Sequence, residues 1–122
     1  GQGSGLARTG VALLCLELCG RHRDQACTGA GKYIREHLPR TIGENHFYYG
    51  LYYASQGMFQ LGGEDWTEWA QHMYGMMLKV QKDDGSWPQG GGNEARAGGV
   101  YSTAMAILSL SVSYRQLPIY QR

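Results

Sequence analysis

No run of like charge interrupts these 122 residues; 11 Lys and Arg stand against 10 Asp and Glu, for a formal charge of +1. Such balance offers no basic stripe for a phosphate backbone, so a nucleic-acid partner is not expected. The nearest basic cluster, GRHRD from Gly20 to Asp24, reads as a solvated turn, because cations gather at helix ends for local electrostatic reasons. Long apolar runs are missing too. The longest, Val11 to Leu16, is far too short to span a bilayer, and no basic-then-apolar signal segment opens the chain, so no transmembrane segment is expected. Cysteine is scarce and odd in number: Cys15, Cys19 and Cys27 cannot form a closed disulfide framework, which points to a reducing compartment and a cytoplasmic protein. Cys15 and Cys19 would share a helical face, but no second ligand pair lies at a matching spacing. Buried apolar thiols are therefore expected, with no metal and no cofactor. The glycine-rich stretches GQGSG and GGGNEARAGG lack the flanking strand and helix of a phosphate loop, and no Gly-x-Ser-x-Gly elbow occurs.

What is present is helical periodicity. A chain with 43% hydrophobic residues and this length is one ordinary domain with a core of its own. Residues 1–5 read as a flexible lead-in. Val11, Leu14, Cys15, Leu18 and Cys19 recur at three- and four-residue steps, predicting a first helix over 6–19 that Gly20 stops. Asp24 is an N-cap for a second, more polar helix with Lys32, Arg35 and Glu36, ended by Pro39. Tyr49, Tyr52, Tyr53, Gln56 and Phe59 place an aromatic third helix before Gly62 and Gly63; a strand competes, since Tyr and Phe favour sheets, but no alternation supports it. Asp65 and Glu68 suggest a capping box for a fourth helix, with Trp66, Trp69, Met73, Met76, Met77 and Val80 on its apolar side. After the glycine tract, a fifth helix begins near Tyr101 and ends at Pro118. The fold class is all-α.

TGVALLCLEL at Thr9–Leu18 and TAMAILSLSV at Thr103–Val112 match in pattern at an offset of 94, about two units of 47 residues, a length found in helical solenoids and rings. Helices one, three and five are thus one type, small and apolar, while two and four are another. That alternation predicts inner and outer helices. Between helices four and five lies QKDDGSW, Gln81 to Trp87: a helix end, a tight Asp84-Gly85 turn, then Trp87 with Pro88 enforcing an extended exit. Gln81, Asp84, Gly85 and Trp87 form a candidate structural clasp, the Gln amide satisfying helix-end groups under the Trp face.

Gln-x-x-Asp-Gly-x-Trp resembles the core of the QW repeat of squalene-hopene and oxidosqualene cyclases, whose double ring of helices is shared with protein prenyltransferase β subunits. YYASQGMFQLGGEDW at Tyr52–Trp66 and GVYSTAMAILSL are similar to units of prenyltransferase and squalene-oxidase repeat proteins. His72, Met73 and Met76 occupy places where the fuller motif has a basic, a small and an aromatic residue. The resemblance implies a partial α/α toroid over 6–122, the C-terminal part of a longer one, and a terpene cyclase-like or prenyltransferase-like role in isoprenoid or lipid handling. The acids that start cyclisation, the diphosphate box and the zinc set of that family do not occur in this sequence; neither does the Gly-Cys-Gly-Glu-Gln signature of thioester domains. Asp83-Asp84 sits inside the turn, where backbone hydrogen bonding is the expected role. Tyr48, Tyr49, Tyr52, Tyr53 and Phe59 are candidates for lining a cavity and steadying a carbocation through their ring faces, or else a plain aromatic core. His46 is the histidine best placed for function. The alternative is a non-catalytic helical-repeat module for protein or lipid binding. Either way, the apolar flanks of helices one and five predict self-association or a missing upstream toroid half as partner.

Overall fold

A computed structural model describes residues 5–114. Its order is α1 (Leu6–Leu18), α2 (Gln25–Glu36), α3 (Phe47–Leu61), α4 (Gly63–Val80), α5 (Glu94–Leu110) and a 3-10 turn at Val112–Tyr114, with no strand among the described residues. The all-α class is what the periodicity predicts. The stop at Pro118 lies outside the described residues.

Helix α3 is the centre. It packs on all four others, with α1 and α5 on its two flanks and with α2 and α4, which also touch each other. Phe47, Tyr48, Leu51, Ala54 and Met58 of α3 are buried together with Leu13, Cys27, Ile34, Trp69, Met73 and Met77. Small residues set the α1–α3 distance. A Cβ on Gly10 would sit 2.7 Å from the Ala54 amide nitrogen, and one on Gly57 would sit 2.9 Å from Leu13 Cγ. The two backbones therefore nearly touch, and Leu13 rests over the bare Gly57. Between α3 and α4 the buried polar atoms satisfy one another: the Trp69 indole donates to Ser55 Oγ at 2.9 Å, and that hydroxyl donates to Met73 Sδ at 3.0 Å.

Several expectations are corrected. Helix α4 starts at Gly63 with Gly62 as N-cap and no side-chain cap, so there is no Asp65–Glu68 capping box. Arg35 of α2 takes both acids instead, with Nε 2.8 Å from Asp65 Oδ1 and Nη1 3.2 Å from Glu68 Oε1. Cys15 and Cys19 are exposed; of the three thiols Cys27 is buried. The reason is that α1 is apolar nearly all round, so periodicity could not choose its buried face, which is Gly10, Leu13 and Leu14. Cys27 donates to the Arg21 carbonyl at 3.2 Å, and burial, then the charges of Glu17 and Asp24, push its thiol up. Asp24 does cap α2, accepting from the Ala26 amide at 3.0 Å; that bond, then Arg21, holds its carboxyl below the usual range. Helix α5 begins seven residues before Tyr101, at Glu94, and bends where Gly98 adopts φ 87°.

Replacing Gly10 by Ala should force α1 off α3, because the obstacle is backbone and cannot turn aside. The expected cost is about 1–3 kcal/mol. Urea unfolding of Gly10→Ala checks it, with Gly29→Ala, whose Cβ meets nothing within 4 Å, as control.

Candidate functional site

The QKDDGSW turn closes on itself. Gln81 Nε2 donates to the Gly85 carbonyl at 2.8 Å, the Lys82 amide donates to the Ser86 carbonyl at 2.8 Å, and the Gly85 amide donates to the Lys82 carbonyl at 2.9 Å. Gly85 has φ 87°, a region costly for any side chain bearing a Cβ. Asp84 Oδ1 accepts from the Ser86 hydroxyl at 2.6 Å and the Ser86 amide at 3.0 Å, which holds its carboxyl below the usual carboxylate range. The Trp87 indole, 4% exposed, reaches back to donate to the Met77 carbonyl at 2.9 Å, one of the last-turn acceptors of α4. Its amide donates to Thr103 Oγ1 of α5 at 3.0 Å. So the Trp87 side chain joins the Gln81 backbone amide on the Met77 carbonyl, while the Gln81 side chain braces the turn.

The next residues deliver a group that spacing arguments do not reveal. Gly90 and Gly91 run so close to Glu94, Tyr48 and Gly43 that neither could carry a Cβ without displacing them. Behind them Glu94, 4% exposed, sits under the N-terminus of α3. Its carboxylate accepts from the Tyr48 amide at 3.0 Å and the Tyr49 amide at 2.8 Å, and from the Tyr101 hydroxyl at 3.3 Å. The local cap position, His46, is left-handed at φ 55° and makes no side-chain cap bond. The Phe47 amide finds the Glu44 carbonyl, and the Gly50 amide makes the first helical bond to the His46 carbonyl, so the Phe47, Tyr48 and Tyr49 donors that precede it are satisfied. The one signal that could have marked Glu94 is a lone acid one residue beyond a glycine tract.

The five aromatic candidates do not share one wall. Tyr48 is fully buried and donates to the Pro88 carbonyl at 2.6 Å. Tyr49, Tyr53 and Tyr52 form a chain of rings at 4.7 and 5.0 Å. Phe59 lies edge-on to Trp66 at 5.1 Å, far along α3. Tyr49 and His46 border a hollow of about 660 Å³ with Ala7, Arg8, Val11, Ala12 and Asn45. A second hollow, about 820 Å³, runs along α5 beside Trp87, lined by Val100, Thr103, Ala104 and Ile107. A third acid, Glu17, pairs with His22 Nδ1 at 2.7 Å, while its Oε1 is buried without a hydrogen-bond partner. Among the described residues no three His, Cys, Asp or Glu side chains are grouped to hold a metal ion, and no helix is long and apolar enough to cross a membrane. No family model, no curated protein and no solved structure matches this chain.

Two outcomes are expected. Trp87→Ala removes a buried ring and an acceptor's partner together, and should cost about 3 kcal/mol or more in chemical denaturation; an unchanged midpoint would remove the clasp from the account. The second concerns alkaline pH. Burial, then the Glu94 charge, pushes the Tyr48 and Tyr101 phenols up from 10.0 to about 12. The folded state thus holds these protons more tightly. Their contribution is complete below pH 10, declines as the unfolded chain ionises above it, and is gone once pH passes about 12. Phenolate absorbance during titration should show Tyr48 and Tyr101 resisting ionisation above pH 10 until the fold is lost, and their replacement by Phe should remove that delayed rise.

Proposed function

We propose that this chain is a segment of an α/α-repeat array, similar in kind to the walls of terpene cyclases and protein prenyltransferases, that works through apolar surface rather than through an initiating acid of its own. One observation carries this reading: α5 leaves Val100 87%, Ile107 51% and Leu108 45% exposed beside the Trp87 clasp. Contiguous exposed aliphatics on a small domain mark an interaction surface. The alternation of α1, α3 and α5 with α2 and α4 supports the repeat interpretation, as does the match between α1 and α5. Glu94 does not serve as a cyclase acid here, because its oxygens are occupied as acceptors from two amides and a phenol.

An environment-sensitive naphthalene sulfonate dye should bind the α5 hollow and brighten. Val100→Ser with Ile107→Ser should remove most of that signal at unchanged helicity, and a wild type that binds no dye would sink the reading. A second reading, isoprenoid or lipid handling, is favoured by the Tyr49 ring, which borders the α1–α3 hollow and leads a chain of ring contacts to Tyr53 and Tyr52, since such faces suit an apolar chain or a developing cation. Farnesol shifting the amide resonances of Tyr49 and Tyr53 would favour it; farnesol without effect on them would exclude it.

A further inference from the structure

The hollow of about 660 Å³ between α1 and the start of α3 brings polar donors from α1, from the α2–α3 connection and from α3 together over an apolar wall. Its size falls within the range of small-molecule sites, about 300–1,000 Å³. Val11 and Ala12 supply the wall. Arg8, Asn45, His46 and Tyr49 supply the donors, and all four residues are exposed. A guanidinium offers N–H groups in a fixed fork, and the amide, imidazole and phenol can each donate beside it. Among the described residues no carboxylate lines the hollow. Two acids of the adjoining backbone are engaged elsewhere: Glu44 accepts from the Arg40 and Thr41 amides, and the buried Glu94 accepts from the Tyr48 and Tyr49 amides.

The packing adds to the positive side of this balance. Gly50 lies against Ala7, Gly10 against Ala54 and Gly57 against Leu13, so α1 and α3 run parallel and their positive ends lie side by side. At α3 that end is met by Glu94. At α1 the N-cap is Gly5, which has no side chain to offer, and the first turn holds no acid. His46 is held left-handed at φ 55° without acting as a cap, and strain of this kind persists where function needs a fixed geometry.

We propose that this hollow binds a single-chain amphipath with a carboxylate head, the head on Arg8 and the Asn45, His46 and Tyr49 donors and the chain along Val11 and Ala12. The proposal rests on the second reading above, lipid handling at the α1–α3 hollow, and adds the head group. The choice of head follows from charge: Arg8 is the one permanent cation among the described lining residues, and its planar fork matches a two-oxygen group carrying a single charge. A phosphate head, with a larger charge, would call for a second cation.

Decanoate, decanol and decyl phosphate, each below micelle formation, are the probes, read by the amide resonances of the whole chain at neutral pH. Decanoate should shift Arg8, Asn45, His46 and Tyr49 saturably and bind about ten-fold more tightly than decanol. Arg8→Gln, at an exposed site, should remove that advantage and leave decanol unchanged. Ala12→Glu, which sets a like charge in the wall, should abolish decanoate binding while circular dichroism shows the helices intact. Equal affinity for decanoate and decanol, with both shifting Tyr49, overturns the carboxylate head and leaves the lipid reading standing. Decanoate that shifts none of the four residues overturns the proposal; with farnesol active there the lipid reading survives, and with farnesol silent both fall. An Arg8→Gln variant that holds decanoate as the wild type does also overturns it, as does tighter binding of decyl phosphate than of decanoate.

Discussion

The N-terminus of α3 is capped from 46 residues away, and much of the structure follows from that contact. Helix α3 touches every other helix, so its starting point sets the register of the core. Its own chain offers no help, because His46 turns left-handed at φ 55° and makes no side-chain cap bond. That conformation costs roughly 1–2 kcal/mol for a residue with a Cβ. Glu94 offsets it by meeting two orphan amides with a charged acceptor at the positive end of the helix. Leaving those amides bare would cost about 1–3 kcal/mol each. To arrive there, Glu94 needs a backbone path that passes hard against Gly43 and Tyr48, which is what Gly90 and Gly91 allow. The glycine tract is thus not slack; its lack of side chains brings the acid home.

The clasp works with this cap. Trp87 ties the end of α4 to Thr103 of α5, and the Pro88 carbonyl takes the Tyr48 hydroxyl. Tyr74 of α4 donates to the Leu110 carbonyl at 3.1 Å, holding the far end of α5. Three helices are therefore joined around one short connection, the Trp87–Met77 bond buried and the others partly buried. The surface ion pairs matter less. Arg35 bridges α2 to α4, but Glu68 is 52% exposed and such pairs contribute about 0–1 kcal/mol.

How much of this could be read from residues alone depended on the range of the interaction. Helix number and class came from periodicity that persists over many turns, and the Asp24 cap and the Asp84-Gly85 turn came from contacts two to four residues apart. The clasp spacing named Trp87 and Gln81 but exchanged their roles, since spacing does not say which side chain reaches the Met77 carbonyl. Glu94 was illegible because its partners lie 45 and 46 residues away. The same holds for Asp65, which fits a local capping pattern yet faces Arg35 across to α2. Cys15 and Cys19 were misplaced for a different reason: a helix that is apolar nearly all round carries little mark of which side turns inward. Nor could the aromatic stripe separate Tyr48, sealed in the core, from Tyr49 beside it, 40% exposed.

That failure of periodicity at α1 is itself informative. A helix apolar all round is at home only when covered on more than one side. Helix α3 meets that condition within this chain, and its burial along nearly its whole length shows what the pattern is suited to. Helices α1 and α5 are less enclosed: α1 packs on α3 and α2, α5 on α3 and the 3-10 turn, and Ala12, Cys15, Ala104 and Ile107 stay exposed. Selection for solubility of a lone domain would put Lys or Glu at Ala12, Cys15, Ala104 and Ile107, as the exposed face of α2 carries Lys32 and Glu36. The polar coat is present on α2 and missing from those four positions of α1 and α5.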